Sequence, residues 1–202
     1  MIFRKNILFV FICFILISAS CGKALKFRND GTTGNLIDEE NGLYYIYCGS
    51  YLRAAEIKAE VYAKGDQKEL LHEITGIDPA KWLSENISMG IALLFREQSV
   101  EEPTLEDFET KIIHITMSEE VTLRIGYMTE REDIDAIVND FVNGKEVSPP
   151  EFISENLTLN FESDKYRGIY YVLQYFTDDK GKNYLYDRWT RRCVLCSVDV
   201  FG

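Results

Sequence analysis

The chain has 202 residues, with 33 acidic against 22 basic side chains, a formal charge of −11, and 46% apolar and 13% aromatic residues. That length suits one domain with enough chain to bury a core. The acidic excess repels nucleic acid and anionic lipid head groups, which excludes both as partners of the protein body. The first element is an export layout: Arg4 and Lys5 form a basic head, Ile7 to Ile17 an unbroken apolar run, and Ser18-Ala19-Ser20 a small-residue tail before Cys21. Such a run makes roughly 16 Å of helix, about half of a ~30 Å hydrocarbon core, so residues 1–20 are expected to be a removed signal rather than a permanent span.

Ser18-Ala19-Ser20-Cys21 resembles the lipobox of bacterial lipoproteins, in which an aliphatic residue and two small ones precede an invariant cysteine. Ser18 departs from that pattern, and the aliphatic Ile17 stands one position early. The resemblance implies that Cys21 becomes the first mature residue and carries diacylglycerol through a thioether, on the extracytoplasmic face of a cell membrane. An ordinary cleaved signal and an uncleaved anchor are the alternatives. Loss of Arg4 and Lys5 with the signal takes the formal charge to −13. Several acyl chains, at ~0.8 kcal/mol per buried methylene, would then hold the protein to the bilayer.

Residues 21–41 are polar and broken by Gly31 and Gly34, and are expected to be a flexible tether with a reach of roughly 25 Å. Leu43 to Cys48 is an aromatic strand candidate, and Ala55 to Lys64 with Leu70 to Thr75 a hairpin. Asp78-Pro79 has the form of an N-cap followed by a first helical position, which predicts a short helix carrying Trp82 and Leu83 inward. Ile91 to Phe95 is a buried strand, and Lys111 to Thr116 with Val121 to Tyr127 an antiparallel pair. A second helix follows: Thr129 and Glu132 have capping-box spacing, Ile134, Ile137, Val138, Phe141 and Val142 form one stripe, and Gly144 suits the C-terminus. Leu157 to Phe161, Ile169 to Phe176, Tyr184 to Tyr186 and Val194 to Val200 complete the strands, with a turn at Asp179 to Asn183. The expectation for residues 42–202 is one α+β domain, a mostly antiparallel sheet with two or so helices packed on it.

Chemistry-bearing spacings are sparse. Cys193-Val194-Leu195-Cys196 has CxxC spacing, but in a strand its thiols point to opposite faces, and too little chain follows for the helix that a redox motif needs. With Cys21 lipidated, Cys48, Cys193 and Cys196 remain, either as buried thiols or with one disulfide from Cys48 to Cys193 or Cys196. His114 sits in an alternating strand and is expected to pack across it. Neither His114 nor His72 has neighbours at metal-ligand spacing, so no metal, cofactor or catalytic residue is predicted. One basic, aromatic stretch interrupts the acidic chain: Tyr184, Tyr186, Arg188, Trp189, Arg191 and Arg192, residue types enriched in binding hot spots. Two functional classes follow. The first is a membrane-anchored, non-enzymatic domain that binds a protein or small molecule, and the second an anchored hydrolase with dispersed carboxylates.

Overall fold

A computed structural model describes residues 24–87, 91–118 and 122–200. Its first half is a closed barrel of seven strands: β1 (Leu25–Asn29), β2 (Leu36–Asp38), β3 (Leu43–Tyr47), β5 (Ile57–Gly65), β6 (Leu70–Ile74), β7 (Trp82–Ile87) and β8 (Ile91–Glu97), in the order β1-β2-β3-β8-β7-β6-β5. Neighbours pair antiparallel except where the barrel closes. There β1 runs parallel to β5, with Leu25 opposite Ala63 and Phe27 opposite Gly65. Alternation fills the interior, as period-two side chains require. Phe27, Leu36, Tyr45, Ala63, Leu71, Leu83 and Phe95 form its core, with Phe27 stacked on Tyr45 at 5.5 Å. The Tyr45 hydroxyl, otherwise stranded among apolar groups, donates to the Pro79 carbonyl at 2.9 Å.

The second half is a seven-stranded antiparallel sheet built from β9 (Thr110–Ser118), β10 (Thr122–Met128), β11 (Ile153–Ser163), β12 (Ile169–Asp178), β13 (Asn183–Tyr186) and β14 (Cys193–Cys196), in the order β10-β9-β11-β12-β13-β14. The seventh strand, β4 (Leu52–Ala54), pairs with the start of β12. One face of this sheet is packed across β9, β11 and β12, while Met117 and Leu123 at its β10 end are exposed. Ile113, Ile115, Leu157, Leu159, Phe161, Ile169, Tyr171, Leu173 and Tyr175 meet Trp82 and Leu94 from the outer wall of the barrel, and Ile134, Ile137 and Phe141 from helix α1 (Arg131–Asn143). This shared core joins the two halves. The opposite face bears polar members of β9, β11 and β12, and at its β12–β14 end a small apolar cluster of Phe176, Tyr184 and Cys193.

Several expectations are corrected. The fold is mostly β, 51% strand and 8% helical with one helix among the described residues, and contains a closed barrel rather than an α+β sheet under two helices. Asp78 does cap, accepting from Ala80 N–H at 3.0 Å, but only a single turn forms before Trp82 enters β7. A buried Trp at the start of a strand outweighs the local cap. The segment expected as a tether carries β1 and β2, with Phe27 and Leu36 buried in the barrel. In α1, Glu130 takes the N-cap without a side-chain bond, so the Thr129 capping box does not form, whereas Gly144 ends the helix as expected. Of the two states left open for Cys48, Cys193 and Cys196, the structure has the buried free thiols. Burial pushes Cys48 and Cys196 up to about 12 and Cys193 up to about 11. Cys193 and Cys196 lie in different apolar clusters, on opposite sides of β14. The expected signal, residues 1–20, and Cys21 lie outside the described residues. Among the described residues no helix is long and apolar enough to cross a membrane.

Candidate functional site

The stretch read from sequence as a candidate binding patch is divided among three structural tasks. Tyr184 is buried, its hydroxyl donating to Asp178 Oδ2 at 2.9 Å, and Tyr186 packs on Phe176 at 5.7 Å between ring centres. Trp189 lies edge-on to Tyr47 of the barrel at 5.6 Å and directly over Gly49, where an added Cβ would stand 2.6 Å from the ring. Arg192 donates to the carbonyls of Val142 and Gly144 at 3.1 and 3.2 Å and covers the Phe141 ring, closing the C-terminal end of α1. Arg188 and Arg191 are exposed, Arg191 with the left-handed φ of 61° that its turn requires. No common surface gathers all six.

A different set converges on the open face of the seven-stranded sheet. Cross-strand register places Tyr127, His114, Asn160 and Val172 in one row. Glu162, Tyr170 and Arg53 form the next row, and Arg124, Thr116, Thr158, Gln174 and Tyr186 the row on the other side. These are the residues that alternation turns away from the packed core. Arg53, on the short strand β4, reaches over β12 and donates from Nη2 to Asn160 Oδ1 on β11 at 2.6 Å. Asn160 is 1% exposed and donates in turn to Thr116 Oγ1 at 3.1 Å and the His114 carbonyl at 3.3 Å on β9. One hydrogen-bonded chain therefore spans β4, β11 and β9 and passes over β12, holding a guanidinium against the middle of the sheet.

Beside it, His114 Nε2 and Glu162 Oε2 are hydrogen-bonded at 2.5 Å, and the Tyr170 ring lies 5.5 Å from the imidazole. The His114 side chain is only 12% exposed, and its Nδ1 is buried without a partner. Burial first, then the Glu162 charge, holds the Tyr170 hydroxyl above its ordinary value, while Arg124 and Arg53 act in the opposite direction. Burial draws the Arg53 guanidinium below its ordinary value. Sequence reading placed His114 correctly in an alternating strand but did not select Arg53, Asn160, Glu162 or Tyr170. They come together through pairings between distant segments. The alternation of Thr158, Asn160 and Glu162 with Leu157, Leu159 and Phe161 was the available signal that these three share a face.

For the hydrolase reading, a carboxyl of the barrel held above its ordinary value is Glu85 on β7, raised by burial and secondly by Glu69. Glu69 is itself engaged by Asn29 Nδ2 and the Gln67 N–H. A cleft of about 620 Å³ at the barrel end is lined instead by Lys26, Phe27, Arg28, Glu39, Lys64 and Asp66, with Ala24 on its wall. Among the described residues no group of three or more His, Cys, Asp or Glu side chains is placed to hold a metal ion. No protein-family model, curated protein or solved structure matches the chain.

Proposed function

We propose that the protein is an extracytoplasmic lipoprotein held to a cell membrane through Cys21, and that its β module is a non-enzymatic binding domain. The binding face is the open side of the seven-stranded sheet. The observation that carries this reading is the Arg53–Asn160–Thr116 chain with the adjoining His114–Glu162 pair. Polar side chains on an outer sheet face are ordinarily solvated singly. Here they are held in fixed geometry and half-buried, which is how sites that recognise small polar ligands are prepared. The export layout and the small residues before Cys21 support the location.

The location is tested by Cys21→Ser in the native host, followed by membrane partition and intact mass. The expected result is loss of the lipid mass and release from the membrane fraction. A variant that partitions as firmly as wild type removes Cys21 as the anchor. The binding face is tested by adding small polar ligands to isotope-labelled protein, with shifts expected at Arg53, His114, Asn160 and Tyr170. Shifts confined to the barrel end would move the site to the cleft beside Ala24.

A further inference from the structure

The open sheet face contains an electrostatic imbalance. Of the other buried or half-buried arginines, Arg96 faces the Glu102 carboxylate at 3.0 Å, and Arg192 sits at the partially negative end of the α1 dipole, donating to the carbonyls of Val142 and Gly144. Arg53 is half-buried and pinned, and its hydrogen-bonding partner is the neutral amide oxygen of Asn160. A guanidinium has five N–H donors in a planar fork, and Asn160 takes one of them. Charges withdrawn from water are normally paired, because removing the counter-charge leaves the full desolvation penalty in place. The carboxylate in the same row, Glu162, is engaged by His114. Arg124 is exposed on β10, and its charge and that of Arg53 both act to lower the Tyr170 hydroxyl, on a protein of net charge −11.

Resting on the reading of this face as the binding site, we propose that it recognises an oxyanion, a carboxylate or phosphate carried by a small ligand. Arg53 supplies the primary fork and Arg124 the second cation, and Tyr170, paired with Arg53 across β12 and β4, offers a neutral hydroxyl donor. Asn160 is a positioning residue: by accepting from Nη2 and being held itself by Thr116, it fixes the plane of the guanidinium. Bidentate Arg–oxyanion contacts depend on that plane, which is why Lys would replace Arg53 poorly. The acidic surround opposes the approach of any anion, so binding depends on this one fixed, desolvated contact and not on long-range attraction. The same repulsion keeps non-specific anions away.

The test is calorimetric titration of the exported protein with inorganic phosphate, with acetate, and with a neutral sugar, at constant ionic strength. Saturable binding of phosphate or acetate is expected, weakened about tenfold or more by Arg53→Met and to a smaller degree by Arg124→Gln. Arg124 is exposed, so its variant reports on binding even where Arg53→Met fails to fold. Tighter phosphate identifies a tetrahedral group, and tighter acetate a planar one. Oxyanion binding that both variants leave unchanged, or no saturation with either anion, overturns the inference. In that second case, sugar binding that shifts His114 and Tyr170 keeps the face as a binding site for a neutral ligand, whereas silence from all three probes removes the binding face as well.

Discussion

At the scale of single residues, polar groups that look alike in the sequence are separated by what their neighbours offer. Asp178 and Asp179 stand side by side, yet only Asp178 is buried, where it accepts from the backbone N–H groups of Lys182 and Lys180 at 2.8 and 2.9 Å and from the Tyr184 hydroxyl. The Lys182 bond is the largest influence holding its carboxyl below the ordinary 3.8, with the Tyr184 bond assisting against the cost of burial. A carboxylate whose folded value is depressed adds stability that is complete above its unfolded value and disappears as pH falls through the folded one. Asp178→Asn should therefore be less stable than wild type near neutral pH, and the difference should shrink as pH falls from about 4.5 to about 2. Urea midpoints across that range measure it; parallel curves would show that the turn does not depend on this charge.

At the scale of elements, the barrel depends on its first two strands. β1 and β2 bridge β5 to β3 and bring Phe27 and Leu36 into the interior. Removing residues 1–40 would withdraw two buried side chains, worth about 3–6 kcal/mol at roughly 1.5–3 each. It would also leave β3 and β5 with unpaired edges. Domains of this size have only about 5–15 kcal/mol of net stability. The truncated chain is expected to lose cooperative thermal unfolding and to bind a hydrophobic dye; a melt matching that of the longer chain would mean that closure is dispensable.

The same two strands mark the limit of what local pattern discloses. The hairpins around residues 64–69 and 117–122, the aromatic strand at 169–178 and helix α1 were readable because their signals are local: alternation, turn residues, or a stripe with 3.6 periodicity. Leu25-Lys26-Phe27-Arg28 also alternates, but its strand is five residues long and followed by a glycine-broken loop, so composition outweighed pattern. Its partner β5 begins 32 residues after β1 begins and runs parallel to it, a pairing that no neighbouring turn announces. Arg53 was illegible for a related reason. Nothing in Tyr51-Leu52-Arg53-Ala54 says that this three-residue strand docks on β12, and only that docking carries the guanidinium to Asn160, 107 positions away in sequence.

At the scale of the whole molecule, β1 changes how the anchored protein would stand on its membrane. A tether of about twenty residues would let the module range roughly 25 Å from the lipid. With β1 starting at Leu25, the link from Cys21 is four Cα steps, at most about 14 Å when fully extended. The barrel end around Ala24 and Lys26 would then sit against the head groups, and a body charge of −13 would be repelled by anionic lipid at close range. Lys26 is exposed and can be changed to Cys for a fluorophore, since Cys48, Cys193 and Cys196 are buried with thiols pushed to about 11–12 and are poorly reactive in the folded protein. Energy transfer from that label to head-group acceptors should be strong in the anchored protein and should fall when a flexible segment of about twenty residues is inserted after Gly22. Transfer that is weak from the start, or indifferent to the insertion, would mean that the module is not held by a short stalk at residue 21.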